Sequence, residues 1–153
     1  RGDARADFEG WHPTIQEILQ AAPKLHRWAL FGRAPLLRWS GDRVCLVGDA
    51  CHPMLPSMAQ GAVQAIEDAW VLAGCLDETD HILDAFVRYR KLRHKRTAAM
   101  QDGSLKNLEL FHRGSVVSYA PIWLAGRLFT SIFHQRQDWV YGHNVVEEVA
   151  RLP

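Results

Sequence analysis

One segment, residues 43–76 (RVCLVGDACHPMLPSMAQGAVQAIEDAWVLAGCL), constrains this chain more than any other. Its apolar opening, residues 43–47, predicts a short buried strand, parallel to partner strands that the chain itself does not supply. The strand closes on Gly48-Asp49, a proline-spaced loop follows, and Gln60-Gly61-Ala62 opens a helix over residues 60–76 in which only Gln64, Glu67 and Asp68 are strongly polar. A helix apolar on nearly every side belongs inside a larger body. A strand that ends in a carboxylate and a loop that feeds a helix N-terminus bring an acceptor and unsatisfied backbone amides to one crevice, which suits them to hold a small molecule.

Composition narrows the classes. With 153 residues, 48% of them hydrophobic, the chain can bury one core. Its net charge of +1 gives no global field to recruit nucleic acid or an anionic membrane. Cys45, Cys51 and Cys75 contain no CxxC pair, which argues against a disulfide scaffold or zinc knuckle and for a reducing cytoplasm. The histidines show no HxH or HExxH spacing, so no metal is assigned. The longest apolar run, residues 120–133, is broken by Gly126 and Arg127 and is too short to span a bilayer.

Periodicity predicts a mostly helical piece with a few strands. A short helix is expected over residues 13–22, with Ile15, Ile18 and Leu19 on one face and Pro13 in the first turn. Residues 26–31 and 35–39 are β-prone. A long helix over 80–101 has acids at its start and the basic run Arg88 to Arg96 toward its end, an asymmetry that complements the helix dipole. Further helices are expected over 104–112 and from Pro121 to about residue 134.

Gly48-Asp49-Ala50-Cys51-His52, Pro56, Gly61 and Glu67-Asp68 follow the order GDAAHxxxPxxxxG plus a helical Glu-Asp. The segment thereby resembles the second flavin-binding motif of the FAD-dependent aromatic hydroxylases, the single-component group containing salicylate and para-hydroxybenzoate hydroxylases. Asp138-Trp139-Val140-Tyr141-Gly142 is similar to the tail of the salicylate hydroxylase branch. The resemblance implies an α/β fragment, predominantly helical, from the C-terminal part of a Rossmann-like, glutathione-reductase-type fold that binds FAD and uses NAD(P)H. No two of the eleven glycines lie two apart, so GxGxxG is absent, and the chain lacks an initiator methionine. Both are expected of the C-terminal portion of a longer hydroxylase. Residues 1–42 would then end a substrate-domain sheet, 43–76 carry the second FAD motif, and 77–153 form a C-terminal helical region.

The same resemblance implies roles. Gly48 and Asp49 would serve the ribityl chain of FAD, Asp49 accepting hydroxyl hydrogen bonds; a plain turn-capping aspartate is the alternative. Pro56 would give rigid apolar contact to the reactive flavin edge, or merely stiffen its loop. Gln60, Gly61, Ala62 and Val63 would turn helix-start amides toward the N1 and C2-carbonyl edge, where reduced flavin is anionic. His52 reads as a loop-organising hydrogen bonder more than a proton-transfer group, and Cys51 as a small buried hydrophobe. Tyr89, Arg93 and Arg96 share one helical stripe, either bracing the cofactor and substrate domains or forming a solvated basic face.

The activity implied is hydroxylation of a small aromatic such as salicylate, hydroxybenzoate or hydroxynicotinate by dioxygen, with FAD reduced by NADH or NADPH. Alone, the piece is expected to be inactive without the missing N-terminal portion. A second reading is an autonomous helical interaction domain derived from such an enzyme, with a homodimer contact over its unpaired apolar surface. No nucleic-acid or membrane partner is expected.

Overall fold

The computed structural model describes residues 2–128 and 137–150 and divides into two compact units, Arg1–Leu30 and Phe31–Pro153. The first holds α1 (Gly2–Asp7) and α2 (Pro13–Ala21). Pro13 occupies the first turn of α2, where its missing N–H costs nothing, and the His12 ring accepts from the Thr14 amide at 3.3 Å. Phe8 and Trp11 meet edge to face at 4.9 Å between ring centres, and the Gln16 side chain donates to the Phe8 carbonyl. Helix α2 therefore forms where periodicity places it, although none of its residues is buried.

The second unit is built on a helical hairpin, α3 (Gly61–Asp77) and α4 (Ile82–Phe111). Two short 3₁₀ turns, Gly48–Ala50 and Pro56–Met58, lead into it. Helix α5 (Val116–Leu128), helical residues 137–141 (α6) and α7 (Val145–Ala150) follow. Val149 of α7 seats over Gly74, where α3 has no side chain to obstruct it. Trp39, Cys51, Val71, Cys75, Ala85 and Tyr89 form the buried core, with Leu36, Leu46, Leu72, Leu92 and Val145 against it. Trp39 is its hub: its ring lies 5.4 Å from His52, 5.4 Å from Tyr89 and 5.8 Å from His94, and its indole N–H donates to the Leu36 carbonyl at 2.8 Å. Buried indoles require such an acceptor.

The strands expected at 26–31, 35–39 and 43–47 do not form among the described residues. One antiparallel bridge, Ser40 with Cys45, stands in their place, closed by Leu46 N to Trp39 O at 2.8 Å and Gly41 N to Val44 O at 2.9 Å. A strand needs a neighbouring ladder, and here residues 43–47 find only the residues just before them, leaving Val44 66% and Val47 41% exposed. The predominantly helical expectation is met; the sheet is not seen.

Two helix expectations also change. The helices expected at 80–101 and 104–112 are one 30-residue helix, α4, running through Gly103. Gly103 does not break it because the space a Cβ would take is used by neighbours: Met58 Sδ lies 3.0 Å from that point and Trp139 3.9 Å. The basic run consequently sits mid-helix, the last turn of α4 carries no basic residue, and the dipole account of these charges fails. Helix α5 starts at Val116, ahead of Pro121, because the Ser115 carbonyl accepts from both the Ser118 amide and hydroxyl, at 3.0 and 2.6 Å. The rest of the helix expected to about residue 134 lies outside the described residues. Among those residues no helix is long and apolar enough to cross a membrane.

Trp39→Ala removes the hub of this core and is expected to cost about 3–5 kcal/mol of stability in urea unfolding. Trp28→Ala, at a side chain 82% exposed, should change the midpoint negligibly.

Candidate functional site

Gly48 is the first element of the site. It is buried, has left-handed φ of +57°, and a Cβ there would lie 3.0 Å from the Ala65 Cβ. Only glycine allows the turn to close this tightly against α3. Its amide donates to Asp68 Oδ2 at 2.9 Å. The next residue, Asp49, is exposed, and its Oδ1 lies 3.8 Å from the point where a Cβ on Gly61 would stand. A carboxylate is thus set beside the first turn of α3.

That helix start has no side-chain cap. Gln60 is the N-cap residue, buried, but its side-chain oxygen accepts weakly from Gln64 at 3.4 Å and its carbonyl from the Gln64 amide at 2.9 Å. The amides of Gly61, Ala62 and Val63 are left to point out of the helix end, with Ala62 and Val63 exposed. Sequence-expected residues Gly48, Asp49, Gln60, Gly61, Ala62 and Val63 are therefore brought together. Pro56 stands apart in its own 3₁₀ turn, exposed, with Ala59 after it in the left-handed region at φ +52°.

Beneath this crevice lies a buried polar network that sequence reading found only in part. Asp68 is fully buried and accepts from the Gly48 amide, from His52 Nε2 at 2.6 Å and from Arg93 Nε at 2.8 Å. With a carboxylate as partner, His52 carries its proton on Nε2 and acts as the loop organiser expected of it. Arg93, also fully buried, donates to Glu67 Oε2 at 2.5 Å and to Gln64 Oε1 at 2.7 Å. Arg96 grips both Glu67 oxygens at 2.9 Å and donates onward to the Trp139 and Val140 carbonyls at 2.7 and 3.2 Å. Tyr89, Arg93 and Arg96 do form one stripe, turned inward on α3 and not a solvated face. The missed signal was the pairing of two adjacent acids on an apolar helix with two arginines three residues apart, whose charges balance.

Burial pushes the Asp68 carboxyl up, but hydrogen bonds from His52, Arg93 and the Gly48 amide outweigh it and hold the group below the ordinary aspartate range. Glu67 behaves alike, burial being outweighed by Arg96 and Arg93. Cys51 goes the other way: burial and the Asp68 charge push its thiol up to about 12, so it stays protonated, donating to the Gly48 carbonyl at 3.3 Å. Cys51, His52 and Asp68 place ligand-type atoms within 4.8 Å of one another, and each is engaged in these hydrogen bonds. Burial and Asp68 likewise raise the Tyr89 phenol, whose hydroxyl donates to the Leu46 carbonyl at 3.4 Å.

Residues 20–102 match the family described as the FAD binding domain. The chain belongs to that family. The chain is 38% identical over 151 residues to 6-hydroxynicotinate 3-monooxygenase of Bordetella bronchiseptica, covering 97% of itself and 34% of that enzyme. It is 46% identical over 114 residues to 3-amino-4-hydroxybenzoate 2-monooxygenase PtmB3 of Streptomyces platensis, covering 72% of itself and 28% of the relative. Among solved structures it is similar to Klebsiella pneumoniae HpxO complexed with FAD and uric acid, with TM-score 0.68, 30% identity, and coverage of 78% and 32% of the two chains. The chain thus spans about a third of the length of the first of these relatives. Its residues fit the cofactor of the family: the exposed Asp49 carboxylate lies beside the first turn of α3, whose start has no side-chain cap.

Arg93→Met leaves Asp68 and Glu67 buried with too few donors and should lower stability by about 3–5 kcal/mol in denaturant unfolding. Because the folded-state pKa values of Asp68 and Glu67 are depressed, their contribution is complete above the unfolded carboxyl range of about 4 and is lost as pH falls through the lower folded values. Urea midpoints measured from neutral pH downward should fall in that acid window, and less steeply once Asp68→Asn is introduced.

Proposed function

We propose that this chain is the second FAD-binding segment and C-terminal helical region of a FAD-dependent monooxygenase that hydroxylates a small hydroxylated aromatic acid of the hydroxynicotinate or hydroxybenzoate class. The observation that carries the reading is the Asp49 carboxylate beside the uncapped start of α3, reached through the left-handed Gly48. Asp49 would accept hydrogen bonds from the ribityl hydroxyls. Gly61, Ala62 and Val63 would offer amides and the positive helix end to the carbonyl edge of the ring. Gln60 would fix the entry to that turn, and Pro56 would supply an apolar contact without a backbone N–H.

When bound, FAD supplies the redox chemistry that, with NADH or NADPH and dioxygen, inserts one oxygen atom into the aromatic ring. This chain contributes binding, orientation and charge. The amides of α3 would favour negative charge on a flavin ring held at the helix start, and Asp68, held below the ordinary aspartate range, would brace the loop beneath it. The substrate-selecting groups, the Rossmann-like sheet and the nicotinamide site would come from the remaining length seen in the relatives.

A second reading rests on Val63, Ile66 and Trp70, an apolar stripe on α3 exposed by 41%, 71% and 50%. Such a stripe favours association, as a homodimer or other assembly contact. In the hydroxylase reading the same stripe is covered by the rest of the cofactor domain.

Asp49→Ala in the complete protein is expected to raise the Kd for FAD about tenfold or more, the loss of a charge-assisted hydrogen bond, with the far-ultraviolet spectrum unchanged. Titration by quenching of flavin fluorescence measures it. An unaltered Kd would remove Asp49 from the site, and a protein that takes up no FAD at all but sediments as a dimer would favour the second reading.

A further inference from the structure

The Pro56 turn is held from behind by the C-terminal half of α4. The Asn107 side chain donates to the Ser57 carbonyl at 3.1 Å, and the Ser57 hydroxyl donates to the Ser104 carbonyl at 2.5 Å. One helical turn earlier, Gln101 donates to the Pro53 carbonyl at 3.1 Å and to the Arg33 carbonyl at 3.3 Å. Ser104 and Asn107 lie beyond the matched family segment, which ends at residue 102.

The turn also packs on α4, but only along one side. On the α4 and α6 side the turn borders a crevice of about 770 Å³ lined by Pro56, Ser57, Met58, Asn107, Trp139 and Tyr141, among others. Met58 Sδ lies 3.0 Å from the point where a Cβ on Gly103 would stand. The chain then turns through Ala59 at φ +52°, a conformation unfavourable for a residue with a Cβ, immediately before the N-cap of α3. A strained turn with open space on one side is held in place more tightly where hydrogen bonds add to its packing. Gln101 Oε1 and Ser104 Oγ are meanwhile buried without a hydrogen-bond partner among the described residues, a cost that is understandable if position of the loop, not stability, sets these side chains.

We infer that Asn107, supported by Gln101 and the Ser57–Ser104 bond, is a positioning residue that fixes Pro56 relative to the start of α3. The inference rests on the flavin reading of Asp49, Pro56 and the start of α3. Asn107 touches no reacting group; it acts through the Ser57 carbonyl. Loss of its donor lets the turn relax its left-handed residue and shift into the crevice, moving Pro56 away from the ring edge.

The test is Asn107→Asp in the FAD-loaded complete protein, which keeps the shape and deletes the donor, with Asn107→Ala as a second variant should the first fold poorly. The Kd for FAD is expected to rise about five-fold, the equivalent of one neutral hydrogen bond, and the visible circular dichroism of the bound flavin to change while the thermal midpoint stays near that of the parent. Asp49→Ala is measured alongside. If Asp49→Ala weakens FAD and both Asn107 variants leave Kd and flavin spectrum as in the parent, the positioning role is overturned and the flavin reading stands. If neither position affects FAD, both are overturned together.

Discussion

The bond between Asp68 and Arg93 is the constraint on which the rest of this structure depends. Both side chains are fully removed from water, and neither is tolerable there without the other. Asp68 gathers the Gly48 amide, His52 and Arg93; Arg93 gathers Asp68, Glu67 and Gln64; Arg96 completes Glu67 and reaches the Trp139 and Val140 carbonyls. One chain of charge-assisted hydrogen bonds thereby ties the Gly48 loop, α3, α4 and α6 together. Apolar contacts are non-directional and would let α3 slide or rotate on α4 at modest cost. Buried charges allow only the register in which every donor finds its acceptor.

That register matters because the crevice is made of backbone. The amide of Gly48 turns inward to Asp68, which leaves Asp49 exposed beside the start of α3. The opposing anchor is α4, which reaches the same loop through Gln101 and Asn107. The loop between Gly48 and Gly61 is thus gripped at its start by a buried carboxylate and near its end by neutral hydrogen bonds bordering open space. The first grip belongs to folding as much as to binding, whereas the second bears on where one proline stands.

The motif was legible because each of its residues answers a local demand. Gly48 must be glycine for its φ and its contact with Ala65, Gly61 opens a helix, and Pro56 opens a turn. Helices α2 and α3 were legible from periodicity and proline placement for the same reason. The strands were not, because β-propensity at residues 26–31, 35–39 and 43–47 states only that a residue fits a pleated surface, and no such surface is offered among the described residues. The helices expected over 80–101 and 104–112 are one, and α4 passes through Gly103, where Met58 and Trp139 pack in the space of a side chain.

Order along the chain was thus enough to determine the Gly-Asp loop, its prolines, the glycine that opens α3 and the helices α2 and α3, but not the strand before the loop, since the former depend on φ/ψ preferences and short-range spacing and a strand needs a partner. Only the tertiary structure decided that Glu67, Asp68, Arg93 and Arg96 are a closed internal network, that the basic run of α4 serves neighbouring elements and not the helix end, and that Asn107 holds the Pro56 turn. Those outcomes hang on contacts between residues as far apart as 50 positions, from Ser57 to Asn107. Spacing along a chain carries no information about distance across it once burial sets the strength of a charge and geometry decides which donor reaches which acceptor.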